Sequence, residues 1–160
     1  MNILMKGFIY FFFLIYFVFL CSNSKNMNGI DQDNKNQKNV EFIEVRRLNH
    51  AIELNETSLI NSTNEIKLLY QQLNDSRYSK SAPIPVLEGD EEAFLVLKPK
   101  LKRIKYGDIE VERLMLEGST LWVTYKEVEN PEYFEKKQSD PIVILKIFNS
   151  PKTVRLIQTQ

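Results

Sequence analysis

The chain has 160 residues, with 21 basic and 21 acidic side chains and a formal net charge of zero at pH 7. This balance argues against nucleic acid as the main partner, because binding to a phosphate backbone needs an excess of positive charge. The single cysteine excludes an intrachain disulfide. The single histidine, His50, lacks the second histidine or the activated Ser or Cys that a metal site or a nucleophilic centre needs. We therefore predict a non-enzymatic protein with an ordinary apolar core, no metal and no cofactor.

The N-terminus has the pattern of a bacterial export signal. Lys6 precedes an uncharged apolar run over residues 8–20, and a polar sequence follows. As a helix, residues 7–21 would span only roughly 22 Å, which is less than the ~30 Å hydrocarbon core of a bilayer. Cys21 directly follows the apolar run, and we predict that it carries lipid.

The residues before Cys21 form an atypical lipobox. Val18 fits the lipoprotein pattern, whereas Phe19 and Leu20 are larger than the usual residues. Two alternatives stay open, namely cleavage after Ser24 and an uncleaved N-terminal anchor. All three interpretations place the rest of the chain outside the cytoplasm. Lipidation predicts a membrane-anchored protein on the periplasmic or the surface face of the cell envelope.

The composition changes sharply after the export segment. Residues 22–39 are almost purely polar, and such a stretch does not bury enough surface to offset the entropy of ordering it. We predict an export signal over residues 1–21, a flexible tether over residues 22–39 and a folded domain over residues 40–160.

The folded domain is predicted to begin with a strand and one amphipathic helix. Residues 40–46 alternate as in a strand, and residues 51–54 are expected to continue its pairing. Ser62 and Glu65 form a capping box, and apolar residues follow at helical spacing, which predicts a helix over residues 63–74.

The second half of the chain is predicted to consist of strands. Residues 108–116 and 120–128 are expected to form a hairpin, and residues 141–148 and 153–158 a last pair around a turn. The fully apolar middle of residues 93–97 suits a central strand. The predicted class is α+β, a mostly antiparallel β sheet or sandwich with one N-terminal amphipathic helix.

A basic segment lies between two of these strands. Residues 98–105 carry five positive charges, and an acidic stretch over residues 88–92 precedes them. One interpretation is a loop that docks on an acidic protein surface or on anionic lipid headgroups. The other is a solvated loop whose charge is partly balanced by its acidic neighbour.

The C-terminal half resembles the PrcB-type domain family, named for a small lipoprotein subunit of a chymotrypsin-like protease complex in spirochaetes. The resemblance rests on the strand over residues 93–97, on the segment Tyr106-Gly107-Asp108-Ile109-Glu110-Val111, and on the strands over residues 121–127 and 140–147. It implies a β-rich domain that binds another protein, with Tyr106 and Gly107 in the contacting loop. Ile104 and Lys105 stand where the family has small residues, so we expect a loop of different shape.

These observations predict a cell-envelope lipoprotein whose domain binds another protein, such as a protease or an envelope complex. We expect the binding rim to combine residues 100–107 with the loop over residues 129–139, because the rim carries both basic and aromatic anchors. The candidate residues are Lys100, Lys102, Arg103, Lys105, Tyr106, Gly107, Tyr133 and Phe134. Tyr133 and Phe134 have an alternative role, which is to fold back onto the sheet. Alternative functions are a protease inhibitor-like protein, a periplasmic enzyme or a structural envelope component.

Overall fold

The structure is a computed structural model that describes residues 37–73 and 83–160. The predicted export segment with Cys21, and residues 22–36 of the predicted tether, lie outside these residues. The described residues form two four-stranded sheets and two short helices. The strands are β1 (Gln37–Asn39), β2 (Phe42–Asn49), β3 (Thr57–Ile60), β4 (Ala93–Leu97), β5 (Asp108–Glu117), β6 (Thr120–Val128), β7 (Pro141–Ile147) and β8 (Thr153–Gln158). The helices are α1 (Thr63–Gln72) and α2 (Pro131–Glu135).

The predicted α+β class is wrong, because the fold is mostly β. Strands hold 45% of the described residues and helices hold 13%. Helix α1 forms with the expected cap, in which the Ser62 hydroxyl accepts a hydrogen bond of 3.2 Å from the Glu65 N–H. However, α1 follows β3 along the chain, so it is not an N-terminal helix that opens the domain.

Two segment predictions at the start of the domain also need correction. Strand β1 lies within the segment assigned to the tether, and it pairs with the end of β5 through Gln37 and Glu117. Residues 51–54 do not form a strand, and the strand in this region is β3. β3 pairs with β4, which is far away in sequence, so local alternation gave little sign of it.

The two sheets pack face to face around the main apolar core. The first sheet has the strand order β1-β5-β6-β8, and the second has the order β2-β7-β4-β3. Buried residues from both sheets form one cluster between them, including Leu95 and Leu145 of the second sheet and Ile109, Leu121 and Val123 of the first. Burial of this apolar area is the main stabilising contribution that the sequence offers.

Helix α1 covers the outer face of the second sheet. Ile66, Leu69 and Leu73 pack with Phe94 and Ile144 in a second buried cluster. The central strands β4 and β7 are therefore buried on both faces, which explains their nearly continuous apolar sequences. No helix among the described residues is long and apolar enough to cross a bilayer.

Strand β8 does not pair with β7, and the prediction of a last hairpin is wrong. β8 lies at the edge of the first sheet, parallel to β6, with Arg155 opposite Trp122. After β7 the chain crosses between the sheets, and the backbone N–H groups of Lys152 and Thr153 bond to the Ser119 carbonyl at 2.9 and 3.2 Å. These bonds hold the start of β8 against the β5–β6 turn. A parallel neighbour requires such a crossover instead of a tight turn.

Candidate functional site

The basic loop (residues 98–105) joins β4 to β5 and contributes residues to several hollows on the surface. Lys105 lines one hollow together with Tyr106 and Phe134. Lys100 and Lys102 line another, on the side of β8. A third hollow, beside Ser139 and Asp140, is lined by both Lys100 and Lys105. The candidate rim is therefore a series of adjoining hollows along the loop, and Lys102 and Phe134 do not share one.

The first of these, the aromatic hollow, has a volume of about 560 Å³. Ile104, Lys105 and Tyr106 line it together with Glu129, Pro131 and Phe134 from the segment around α2. The rings of Tyr106 and Phe134 meet edge to face, with centroids 6.0 Å apart and an angle of 77° between planes. The Lys105 ammonium lies 5.2 Å from the Tyr106 ring centroid.

Helix α2 places Phe134 at the hollow. Asn130 caps the helix by accepting a hydrogen bond from the Tyr133 N–H at 3.2 Å, and Pro131 follows as the first helical residue. Phe134 is 65% exposed, the largest fraction among the exposed large apolar residues that the structure describes. Tyr133 is half-buried and does not line the hollow. The Phe134 side chain therefore does not fold back onto the sheet.

Gly107 and Asn49 fix the far end of the basic loop. The Asn49 side-chain amide donates to the Gly107 carbonyl at 3.0 Å, and its oxygen accepts from the Asp140 N–H at 2.9 Å. The Gly107 N–H donates to the Gln138 carbonyl at 3.2 Å. Gly107 is buried, so its part in the site is to hold the loop in place.

Glu127 on β6 holds the middle of the basic loop. Its carboxylate accepts hydrogen bonds from the backbone N–H groups of Lys102, Arg103 and Ile104 at 2.7, 2.9 and 3.0 Å. It also accepts one of 2.7 Å from the Gln158 amide on β8. Partial burial acts to raise the pKa of Glu127, but these four donors together outweigh it and lower the pKa below its usual value. A single carboxylate thus fastens the basic loop to both β6 and β8.

We expect Glu127→Gln to destabilise the domain by about 1–2 kcal/mol at pH 7, because the neutral amide accepts fewer and weaker hydrogen bonds. The lowered folded-state pKa means that the carboxylate stabilises the fold fully above its unfolded pKa. This contribution is lost as the pH falls through the folded-state value, below ~4.3. Urea unfolding followed by Trp122 fluorescence, from pH 7 to pH 3, measures the difference. Glu41→Gln, at an exposed position away from the loop, is the control. Equal stability of wild type and Glu127→Gln at pH 7 would contradict the assignment.

The second hollow, the β8 cavity, has a volume of about 310 Å³ and lies between the basic loop and two edge strands. Thr57 of β3 and Arg155 and Gln158 of β8 contribute to its walls. Lys100 and Lys102 add positive charge from the loop. Arg103 lines neither hollow.

Several residues of both hollows were missed by the sequence analysis. The Asn130-Pro131 pair is a helix start signal that would have revealed α2. Glu127 carries no comparable signal, because its partners in the loop lie 23 to 25 residues away in the chain. His50 follows β2, and its backbone N–H donates to the Asp140 carbonyl at 3.0 Å. In the described part of the chain, no group of three or more His, Cys, Asp or Glu residues is arranged to hold a metal ion.

The motifs behind the PrcB-type resemblance lie in β4, the basic loop, β5, β6 and β7, which are neighbours around the main core. Their arrangement is a property of this fold and does not test family membership. Comparison of the chain with family models, curated proteins and solved structures finds no match.

Proposed function

We propose that this protein is a non-enzymatic lipoprotein of the cell envelope whose β domain binds another protein at the aromatic hollow. The observation that carries the proposal is the exposure of Phe134 beside Tyr106, at the mouth of a hollow of about 560 Å³. An aromatic side chain that is 65% exposed contributes little to the stability of the fold. Exposed aromatic residues beside a concave surface are typical anchors of protein interfaces.

The walls of the hollow indicate what kind of group would enter it. Ile104, Tyr106, Pro131 and Phe134 offer apolar and aromatic surface, which suits an apolar or aromatic side chain of the partner. Glu129 and Glu135 also line the hollow, so a basic residue beside that side chain would also find a partner.

The membrane attachment in the proposal comes from the sequence. Cys21 follows a short apolar export segment, and acylation there would hold the domain at a membrane. The polar residues that follow would keep the domain away from the lipid surface. The proposed partner is therefore an envelope protein, such as a protease or a protein complex.

Photo-crosslinking from position 134 tests the proposal. The full chain is produced in its native cells with p-benzoylphenylalanine in place of Phe134, or in place of Phe148 as a matched control. Phe148 is also exposed, at 38%, but does not line the aromatic hollow. We expect a discrete crosslinked envelope protein from position 134 only, and its loss when Tyr106→Ala is added. The same products from both positions, or none from position 134, would contradict the proposal.

Lipid attachment is tested by growing the same cultures with labelled palmitate and measuring the label that the chain carries. We expect label on the wild-type chain in the membrane fraction and no label on Cys21→Ala. Label that persists on Cys21→Ala would refute the proposed lipid anchor. It would not bear on partner binding at the aromatic hollow, which the crosslinks test separately.

A further inference from the structure

The β8 cavity has features that protein docking at the aromatic hollow does not require. It lies on the other side of the basic loop, at the edge where β8 and β3 come together. Lys100, Lys102 and Arg155 on its walls are exposed cations, and none of them forms an ion pair with another described residue. Glu56 is the one acidic residue on the walls. The lining therefore carries an excess of positive charge.

The backbone of the basic loop is held at Lys102. Glu127 accepts from the Lys102 N–H at 2.7 Å and from the Gln158 amide at 2.7 Å, and so it ties the loop to the end of β8. The Glu127 carboxylate is thereby hydrogen-bonded to groups of the loop and of β8, and Glu127 does not line the cavity. The bond to its N–H keeps Lys102 at the wall of the cavity, so its positive charge stays near the end of β8.

Tyr125 adds a neutral donor to the same cavity. The residue is only 4% exposed, and its hydroxyl has no hydrogen-bond partner among the described residues. Burial raises the pKa of Tyr125, and the charges of Glu127 and Glu56 raise it further. The hydroxyl therefore keeps its proton at neutral pH and is available to donate to a ligand.

We infer that the β8 cavity binds a phosphate ester, held by Lys100, Lys102 and Arg155 together with the Tyr125 hydroxyl. These donors come from three elements, the basic loop, β8 and β6, and the three terminal oxygens of a phosphate monoester can accept from all of them. A phosphate monoester carries about −1.5 to −2 charges at pH 7, which matches the excess of two positive charges that three cations and Glu56 leave on the lining. The ester could be a soluble phosphorylated molecule or a lipid headgroup, and both offer the same phosphate to the site.

Isothermal titration of the full chain in dodecyl maltoside at pH 8 and low salt tests this inference. Glycerol 3-phosphate represents a soluble ester, and monomeric dihexanoyl phosphatidic acid represents a lipid headgroup. Glycerol and dihexanoyl phosphatidylcholine are the controls that lack a phosphate monoester. We expect saturable binding of at least one phosphate monoester, and the tighter of the two identifies the source.

Two variants with opposite expected effects connect the binding to the cavity. Lys100→Gln, Lys102→Gln and Arg155→Gln combined should weaken it about ten- to hundredfold, whereas Glu56→Gln should strengthen it about threefold. A variant that has lost its fold does not bind more tightly. Tighter binding by Glu56→Gln therefore separates an electrostatic effect on the site from a loss of folding. The control combines Lys38→Gln, Lys67→Gln and Arg113→Gln, which are exposed elsewhere. Absence of saturable binding, or equal affinity in the wild type and the cavity variant, would overturn the inference.

Discussion

Gly107→Ala is expected to destabilise the domain by about 2–3 kcal/mol, a large effect for the addition of one methyl group. A Cβ atom at this position would lie 2.6 Å from the Val128 carbonyl oxygen and would also collide with the Ile104 side chain. The Ile104 methyl group has freedom to rotate away. The carbonyl does not, because Val128 is paired with Asp108 in the β5–β6 ladder. Relief of the collision would therefore displace the basic loop from β6.

Urea unfolding followed by Trp122 fluorescence measures this loss. Gly89→Ala is the matched control, because a Cβ there meets no atom within 4 Å. We expect the control to change stability by less than about 0.5 kcal/mol. A Gly107→Ala protein as stable as Gly89→Ala would show that the close approach to β6 is not needed.

The displacement of the loop should also affect both hollows. Ile104 and Tyr106 line the aromatic hollow, and Lys100 and Lys102 line the β8 cavity. The positions of these four residues depend on the same segment of the chain, which is held at Gly107 and by Glu127. The resemblance-based expectation gave Gly107 a place in the contact surface, whereas its burial gives it a role in positioning that surface.

Local sequence patterns were sufficient for most of the individual elements. Strands β4, β6 and β8 have the predicted limits, and the β5–β6 hairpin closes at Glu117 and Thr120 as expected. The capping box at Ser62 gave the start of α1. These signals are local, because they depend on alternation and on hydrogen bonds within a few residues.

The fold class depends on long-range pairing, and there the prediction was wrong. Nothing near β8 in the sequence shows that its partner is β6, since the two strands are joined only through β7 in the other sheet. β3 is short, and its partner β4 lies beyond α1. The predicted α+β class gave one helix too much weight in a fold that is mostly β.

The candidate site was predictable only in part, for the same reason. Residue types indicated the basic and aromatic anchors, and Lys105, Tyr106 and Phe134 do meet at one hollow. The placement of Lys102 at the β8 cavity follows from Glu127, whose bonds to the loop and to Gln158 depend on the tertiary fold. No sequence pattern contained that information.

The ion pair between Arg47 and Asp108 joins β2 to the start of β5, directly after Gly107. Asp108 is the one buried charged residue among the described residues, with 3% of its surface exposed. Its carboxylate lies 3.0 Å from the Arg47 guanidinium and accepts the Ile109 N–H at 2.8 Å. Hydrogen bonds to Glu44 raise the pKa of Arg47 against the opposing effect of burial, and Asp108 raises it further. Arg47 therefore stays charged over the whole accessible pH range.

Arg47→Met is expected to cost about 3 kcal/mol, because it leaves the Asp108 charge buried without its cation. Asp108→Asn in the same chain should recover about 1–3 kcal/mol of that loss, since the amide has no charge to compensate. Urea unfolding of the wild type, both single variants and the double variant gives the interaction energy directly.

Arg46→Met is the matched control for this cycle. The Arg46 guanidinium lies 4.6 Å from the Tyr70 ring centroid, a contact whose loss should cost about 0.5–1 kcal/mol. If Arg47→Met costs no more than Arg46→Met, the buried carboxylate does not depend on Arg47. If the double variant shows only the sum of the two single losses, the ion pair makes no separate contribution. A measured coupling would instead establish that Asp108, one residue after Gly107, ties the start of β5 to Arg47 of β2.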